Sequence, residues 1–127
     1  MSPESGLRDL IFLVDWGEEA GLAGRLRGGG WRIEVESADG GEAYRRIRES
    51  RPRAVVIAAS RPGHGAEVAR SLRNTRALRD LPILCVDADE AARDRISRKA
   101  AGVRFVTSGE LPAVLAEVTR PEGETKF

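Results

Sequence analysis

The residues best suited to chemistry stand where apolar runs end. Asp15 follows Leu10 to Val14 (LIFLV), and Asp87 follows Ile83 to Val86 (ILCV). If both runs are strands of one open sheet, the two acids sit at the carboxyl ends of its strands, where ligands of such sheets collect. Two carboxylates there offer oxygen ligands for Mg²⁺ or Ca²⁺, a weak site without a substrate phosphate to complete it. The competing structural role is local: Asp15 accepts hydrogen bonds from loop amides, and Asp87 or Asp89 caps the following helix.

Other reactive residue types are scarce. His64 is the only histidine and lies in a Pro62-Gly63-His64-Gly65 loop, with no second histidine for a metal cluster and no partners for a triad. Cys85, the only cysteine, is inside an apolar run and reads as a small buried hydrophobe, so disulfides and cysteine-ligated metals are excluded. The glycines 28–30 follow a helical segment and suit a helix C-cap rather than a phosphate loop. Gly63 and Gly65 begin a dinucleotide fingerprint that Val68 does not complete.

Arginine is abundant while lysine occurs only at Lys99 and Lys126. The 21 basic residues are nearly balanced by 20 acidic ones, so no bulk field favours nucleic acid or an anionic membrane. Arg70, Arg73, Arg76 and Arg79, then Arg93, Arg95 and Arg98, are interrupted by Glu67, Glu90 and Asp94. They lack interleaved aromatics for base stacking and read as solvated helix faces.

The elements that must position these residues follow from periodicity. Continuous apolar runs at Leu10–Val14 and Ala54–Ala59 are the pattern of parallel strands covered on both faces, and Leu81–Val86 gives a further strand. Trp31, Ile33 and Val35 alternate with charged residues, which gives a half-buried strand near a sheet edge. Val103–Thr107 completes five strands. Helices are expected at Glu18–Arg27, Gly41–Glu49, Ala66–Leu78, Asp89–Ala100 and Leu111–Val118. In the second helix Ala43 and Ile47 face inward and Arg45, Arg46 and Arg48 outward. Five strand-then-helix repeats in 127 residues fit one α/β domain, a flavodoxin-like three-layer fold with a five-stranded parallel sheet of order 2-1-3-4-5 and five helices. The domain is expected over residues 8–119, with 1–7 and 120–127 as flexible termini. No stretch is long and apolar enough to cross a bilayer and the start lacks a secretory pattern, so a cytoplasmic location is expected.

This pattern resembles the receiver domain of bacterial response regulators, the CheY-like family of two-component signalling, over about residues 8 to 119. Receivers end their first strand in adjacent acids that hold Mg²⁺; here Asp15 is kept and Trp16 stands in place of the second. The family's phospho-acceptor aspartate lies four residues before a proline, and counting back from Pro62 lands on Ala58. The family's fourth strand ends in a hydroxyl residue and alanine, here Asp87 and Ala88. In its fifth-strand segment an aromatic precedes lysine and proline; Phe105 is kept while Ser108 and Gly109 replace the pair.

The resemblance therefore implies a degenerate pseudo-receiver that cannot accept a phosphoryl group. Asp15, Trp16, Ala58, Asp87 and Ser108 would mark the vestigial phosphorylation pocket. Without the nucleophile the expectation is no enzyme, no cofactor and no bound metal. Function would be protein–protein interaction, as an adaptor in a bacterial signalling complex, because a chain of this size leaves no room for an output domain. Receivers generally offer the face of their fourth helix, fifth strand and fifth helix, which nominates Arg95, Arg98, Arg104 and Phe105. Homodimerisation is compatible with that face. The alternatives are a small-ligand or divalent-cation domain built on the strand-end acids and, more weakly, nucleic-acid binding through local arginine patches; membrane binding is not expected.

Overall fold

The computed structural model describes residues 10–14, 21–36, 40–58 and 62–119, with side chains for all of these except 40 and 62–65. Asp15, Trp16 and both expected flexible termini lie outside the described residues.

Five parallel strands form one sheet, β1 (Leu10–Val14), β2 (Arg32–Glu36), β3 (Ala54–Ala58), β4 (Ile83–Val86) and β5 (Arg104–Val106), in the order β2-β1-β3-β4-β5. Five helices connect or follow them: α1 (Leu22–Gly28), α2 (Gly40–Ser50), α3 (Pro62–Arg73), α4 (Glu90–Lys99) and α5 (Leu111–Val118). This is the expected flavodoxin-like architecture. The register is continuous through the centre, with Phe12 opposite Val55, Val55 opposite Ile83, and Cys85 opposite Phe105.

The apolar runs are two-sided because each strand feeds two cores. Along β1, Ile11 and Leu13 pack into a layer with Leu22 and Leu26 of α1 and Leu111, Val114 and Leu115 of α5. Phe12 and Val14 turn to the opposite layer, with Ala43 and Ile47 of α2 and Val68, Ala69 and Leu72 of α3. A smaller cluster joins Ala66, Cys85 and Ile96 beneath α4. Side chains alternate faces along a strand, so only an uninterrupted apolar run can supply both layers.

Several boundaries differ from the sequence expectation. The third helix begins at Pro62, placing His64 in its first turn instead of a loop; proline suits that turn because its missing N–H would have no helical partner. It ends at Arg73, and Arg76–Leu78 forms a separate 3-10 turn, where a helix to Leu78 was expected. β4 starts at Ile83 rather than Leu81 and β5 covers only Arg104–Val106. The first helix is described from Leu22, and the expected start at Glu18 lies outside the described residues.

The glycine triplet does act as a C-cap. Gly30 has φ 96, and the Trp31 amide donates to the Leu26 carbonyl at 3.2 Å, closing α1 and turning the chain into β2.

Arg46 is not the solvated arginine expected of the outer face of α2. Its guanidinium pairs with Glu34 at 2.9 Å and Glu36 at 3.0 Å, lies 5.3 Å from the Phe12 ring centre, and donates to the Val35 carbonyl at 3.0 Å. From the other side, Arg27 of α1 donates to the Ile33 carbonyl at 3.3 Å. Arginines from two helices thus lie along the edge strand β2.

Candidate functional site

The carboxyl ends of β3, β4 and β5 lie side by side. Ala58 is the last residue of β3, fully buried, with its Cα opposite Val86 in β4. Its methyl group brings no ligand or nucleophile to this position.

Asp87 leaves β4 in the left-handed region, at φ 56, and its backbone amide donates to the Val106 carbonyl of β5 at 2.9 Å. Its side chain then turns toward the next loop, where Oδ1 accepts from the Ser108 amide at 3.0 Å. Of the two acids expected to cap the next helix, Asp89 takes the cap: its carboxylate accepts from the Ala92 amide at 2.8 Å at the start of α4, while Asp87 serves a loop amide instead. Ser108, half-buried, is held by that bond to Asp87.

One turn ahead of α5, Thr107 and Glu110 form a reciprocal pair. The Glu110 amide donates to Thr107 Oγ1 at 3.1 Å, while Glu110 Oε1 accepts from the Thr107 amide at 2.9 Å. The Thr107 amide, followed by the Thr107 hydroxyl, holds the Glu110 carboxyl below the usual glutamate range. The sequence T-S-G-E carries this capping-box spacing openly, a signal beyond the residues expected at the site. Amides entering α5 are therefore occupied by two of the chain's own carboxylates, Asp87 and Glu110.

These residues fit a divalent cation poorly. Ala58 has no oxygen, one Asp87 oxygen is committed to an amide, and among the described residues no group of three or more acids, histidines or cysteines is placed to hold a metal. Cys85 is buried in β4, its thiol pushed up to about 12 by burial, and faces Ala66 and Ile96.

The four residues nominated for partner binding surround α4 and β5 in different states. Arg95 is exposed and makes no ion pair among the described residues. Arg98 pairs along α4 with Asp94 at 3.1 Å, and Arg104 of β5 pairs with Glu117 of α5 at 2.7 Å. Phe105 is half-buried, with the Arg93 guanidinium 5.6 Å from its ring centre. Arg93 also donates to the Ala88 carbonyl at 3.3 Å, tying α4 to β5 and to the loop after β4. Arg93 is therefore not the solvated arginine expected of this helix face. Its position beside Ala92, at the border of the buried stripe Ala92–Ile96, is the signal that a long side chain reaches the adjacent strand. A shallow depression on α4 is lined by Glu90, Ala91, Arg93, Asp94 and Ser97.

No protein-family profile and no curated protein sequence matches the chain. Solved structures do. The receiver domain of a sensor histidine kinase from Pseudomonas aeruginosa, described with magnesium in its active-site cleft, superposes with a TM-score of 0.75 at 21% identity, covering 89% of this chain and 98% of that one.

The chain has the receiver fold.

A two-component response regulator of the LuxR family from an Aurantimonas species gives 0.66 at 28% identity, covering 87% of this chain and 84% of its own. A chemotaxis response regulator of Vibrio cholerae gives 0.69 at 18%, covering 86% and 97%. Strand order and helix placement in this receiver fold put Ala58, Asp87 and Ser108 at or just beyond the ends of the adjacent strands β3, β4 and β5. Asp15 and Trp16 lie outside the described residues. Among the described residues no helix is long and apolar enough to cross a membrane.

Proposed function

We propose that this chain is a non-phosphorylatable pseudo-receiver that works by binding another signalling protein through α4, β5 and α5. The observation that carries the reading is the state of the strand ends: Ala58 closes β3 without a carboxylate, and the neighbouring acid Asp87 is bonded to the Ser108 amide. Phosphoryl transfer to a carboxylate requires an oxygen nucleophile and a cation to neutralise the phosphoryl oxygens. Asp87 is an unsuited substitute because it stands on the adjacent strand and already serves as an acceptor.

The binding face is supported by its construction. Arg95 projects from α4 without a counter-ion among the described residues, while Arg93 over Phe105 and the Arg104–Glu117 pair fix the relative positions of α4, β5 and α5. Such a face is exposed and rich in arginine, and arginine and aromatic residues are enriched in protein interfaces.

Incubation with acetyl phosphate and Mg²⁺, or with beryllofluoride, followed by intact mass and amide NMR, is the direct test. The expected result is no mass gain and no specific shift at Asp87 or Ser108; a stable phospho-adduct would overturn the inert pocket. In affinity capture, the Arg95→Ala, Arg98→Ala, Phe105→Ala triple variant is expected to lose partners that the wild type recovers. Equal recovery would remove this face.

A further inference from the structure

The near-neutral charge of the chain conceals its distribution along the strand direction. At the carboxyl ends of the strands stand Glu36, Asp87, Asp89, Glu90 and Glu110. At the amino ends, the loops entering β3 and β4 carry Arg51, Arg76 and Arg79, beside Arg48 in the last turn of α2.

These two loops adjoin. β3 and β4 are neighbours, and the Val55 amide donates to the Pro82 carbonyl at 2.9 Å. The Tyr44 hydroxyl meets Thr75 Oγ1 at 2.7 Å, and the Arg48 guanidinium lies 6.0 Å from the Tyr44 ring centre, so Arg48 reaches toward the segment that begins at Arg76. Arg48, Arg51, Arg76 and Arg79 are all exposed, and none makes an ion pair among the described residues. Of the nearby acids, Glu49 pairs with Arg45, and the four arginines outnumber the one that remains, Asp80.

Favourable placement at a helix C-terminus accounts for Arg48. The same placement favours Arg51, directly after α2, by about 0.3 to 1 kcal/mol, but at φ 49 an L side chain costs roughly 1 to 2 kcal/mol that glycine would avoid. Its amide closes the helix on the Ile47 carbonyl at 2.9 Å, a bond that any residue but proline can make. Among the described residues the Arg51 guanidinium makes no ion pair that would offset this strain.

We infer that the amino end of the sheet, at Arg48, Arg51, Arg76 and Arg79, is a second interaction surface that takes an acidic segment of a partner protein. The guanidinium fork matches carboxylates bidentately. Four cations fall short of the roughly six to ten phosphate contacts that make nucleic-acid binding strong, and Tyr44, the aromatic within the patch, is half-buried with its hydroxyl engaged, so it offers no open stacking face. This surface lies on different elements from the α4-β5-α5 face and stands or falls independently of it.

The test uses a fluorescent hexaglutamate peptide and the full chain, read by anisotropy and amide NMR. Binding is expected to shift residues 48–53 and 76–80 and to weaken with salt. The Arg51→Gly, Arg76→Gln, Arg79→Gln variant is expected to bind roughly tenfold more weakly, while Arg25→Gln, at an exposed position of α1 outside both surfaces, binds as the wild type does. Arg51→Gly alone should keep or raise stability while losing part of the binding, which separates recognition from folding. No binding at low salt, equal binding by the triple variant, or tighter binding of a DNA duplex than of the peptide would each overturn the proposal.

Discussion

A side chain in the left-handed region costs roughly 1 to 2 kcal/mol, and Asp87, at φ 56, offsets that cost by bonding locally on both sides. Its amide reaches Val106 and its carboxylate reaches Ser108, so one residue fixes the end of β4 to the start of the turn into α5. Glu110 completes the turn. Because bonds from Thr107 depress its folded pKa, the Glu110 contribution to stability is fully present above the unfolded glutamate pKa and is lost as pH falls through the lower folded value. An NMR titration should place the Glu110 carboxyl midpoint below the usual glutamate range, with the Thr107 amide moving at the same pH. A midpoint at or above the ordinary value would show that the capping pair does not form in solution.

Between elements, Arg73 is the most connected of the described side chains of α3. It donates to the carbonyls of Ala101 at 2.7 Å, Leu81 at 2.8 Å, Arg79 at 3.1 Å and Gly102 at 3.4 Å, joining the end of α3 to the loops before β4 and β5. Arg73→Met keeps the apolar stem and removes the donors, and it should lower unfolding stability by roughly 2 kcal/mol in urea. A loss under about 0.5 kcal/mol would mean that water replaces the guanidinium without cost. The helix and strand order was legible because each element has a clear period: LIFLV and AVVIA could only be two-sided strands, and Leu111–Val118 keeps its predicted bounds. Contacts such as those of Arg73 and Arg93 were not. A solvated arginine and one that satisfies distant carbonyls occupy the same helical positions in sequence, and only the packing of the following loop distinguishes them. At the strand ends the residue types were legible, but the orientation of Asp87 depends on a turn conformation that its neighbours do not encode by spacing.

Across the whole molecule, the two apolar layers share the same five strands and should not melt separately. Ile47→Ala in one layer and Leu115→Ala in the other remove fully buried side chains. Each should cost about 3 kcal/mol, with a single unfolding transition by far-UV circular dichroism and by tryptophan fluorescence. Non-coincident transitions would show that α1 and α5 come away from a sheet that persists.

The arginines along β2 also bear on how copies of the chain meet. An open parallel sheet ends in two strands whose outer backbone groups invite pairing with another chain, the usual seed of fibrils. Arg27 and Arg46 already occupy two carbonyls of β2, and the opposite edge, β5, is three residues long with Arg104 exposed at its start. Neither margin is a template for a further strand, so the sheet stops at five and concentrated chain resists growth by strand addition.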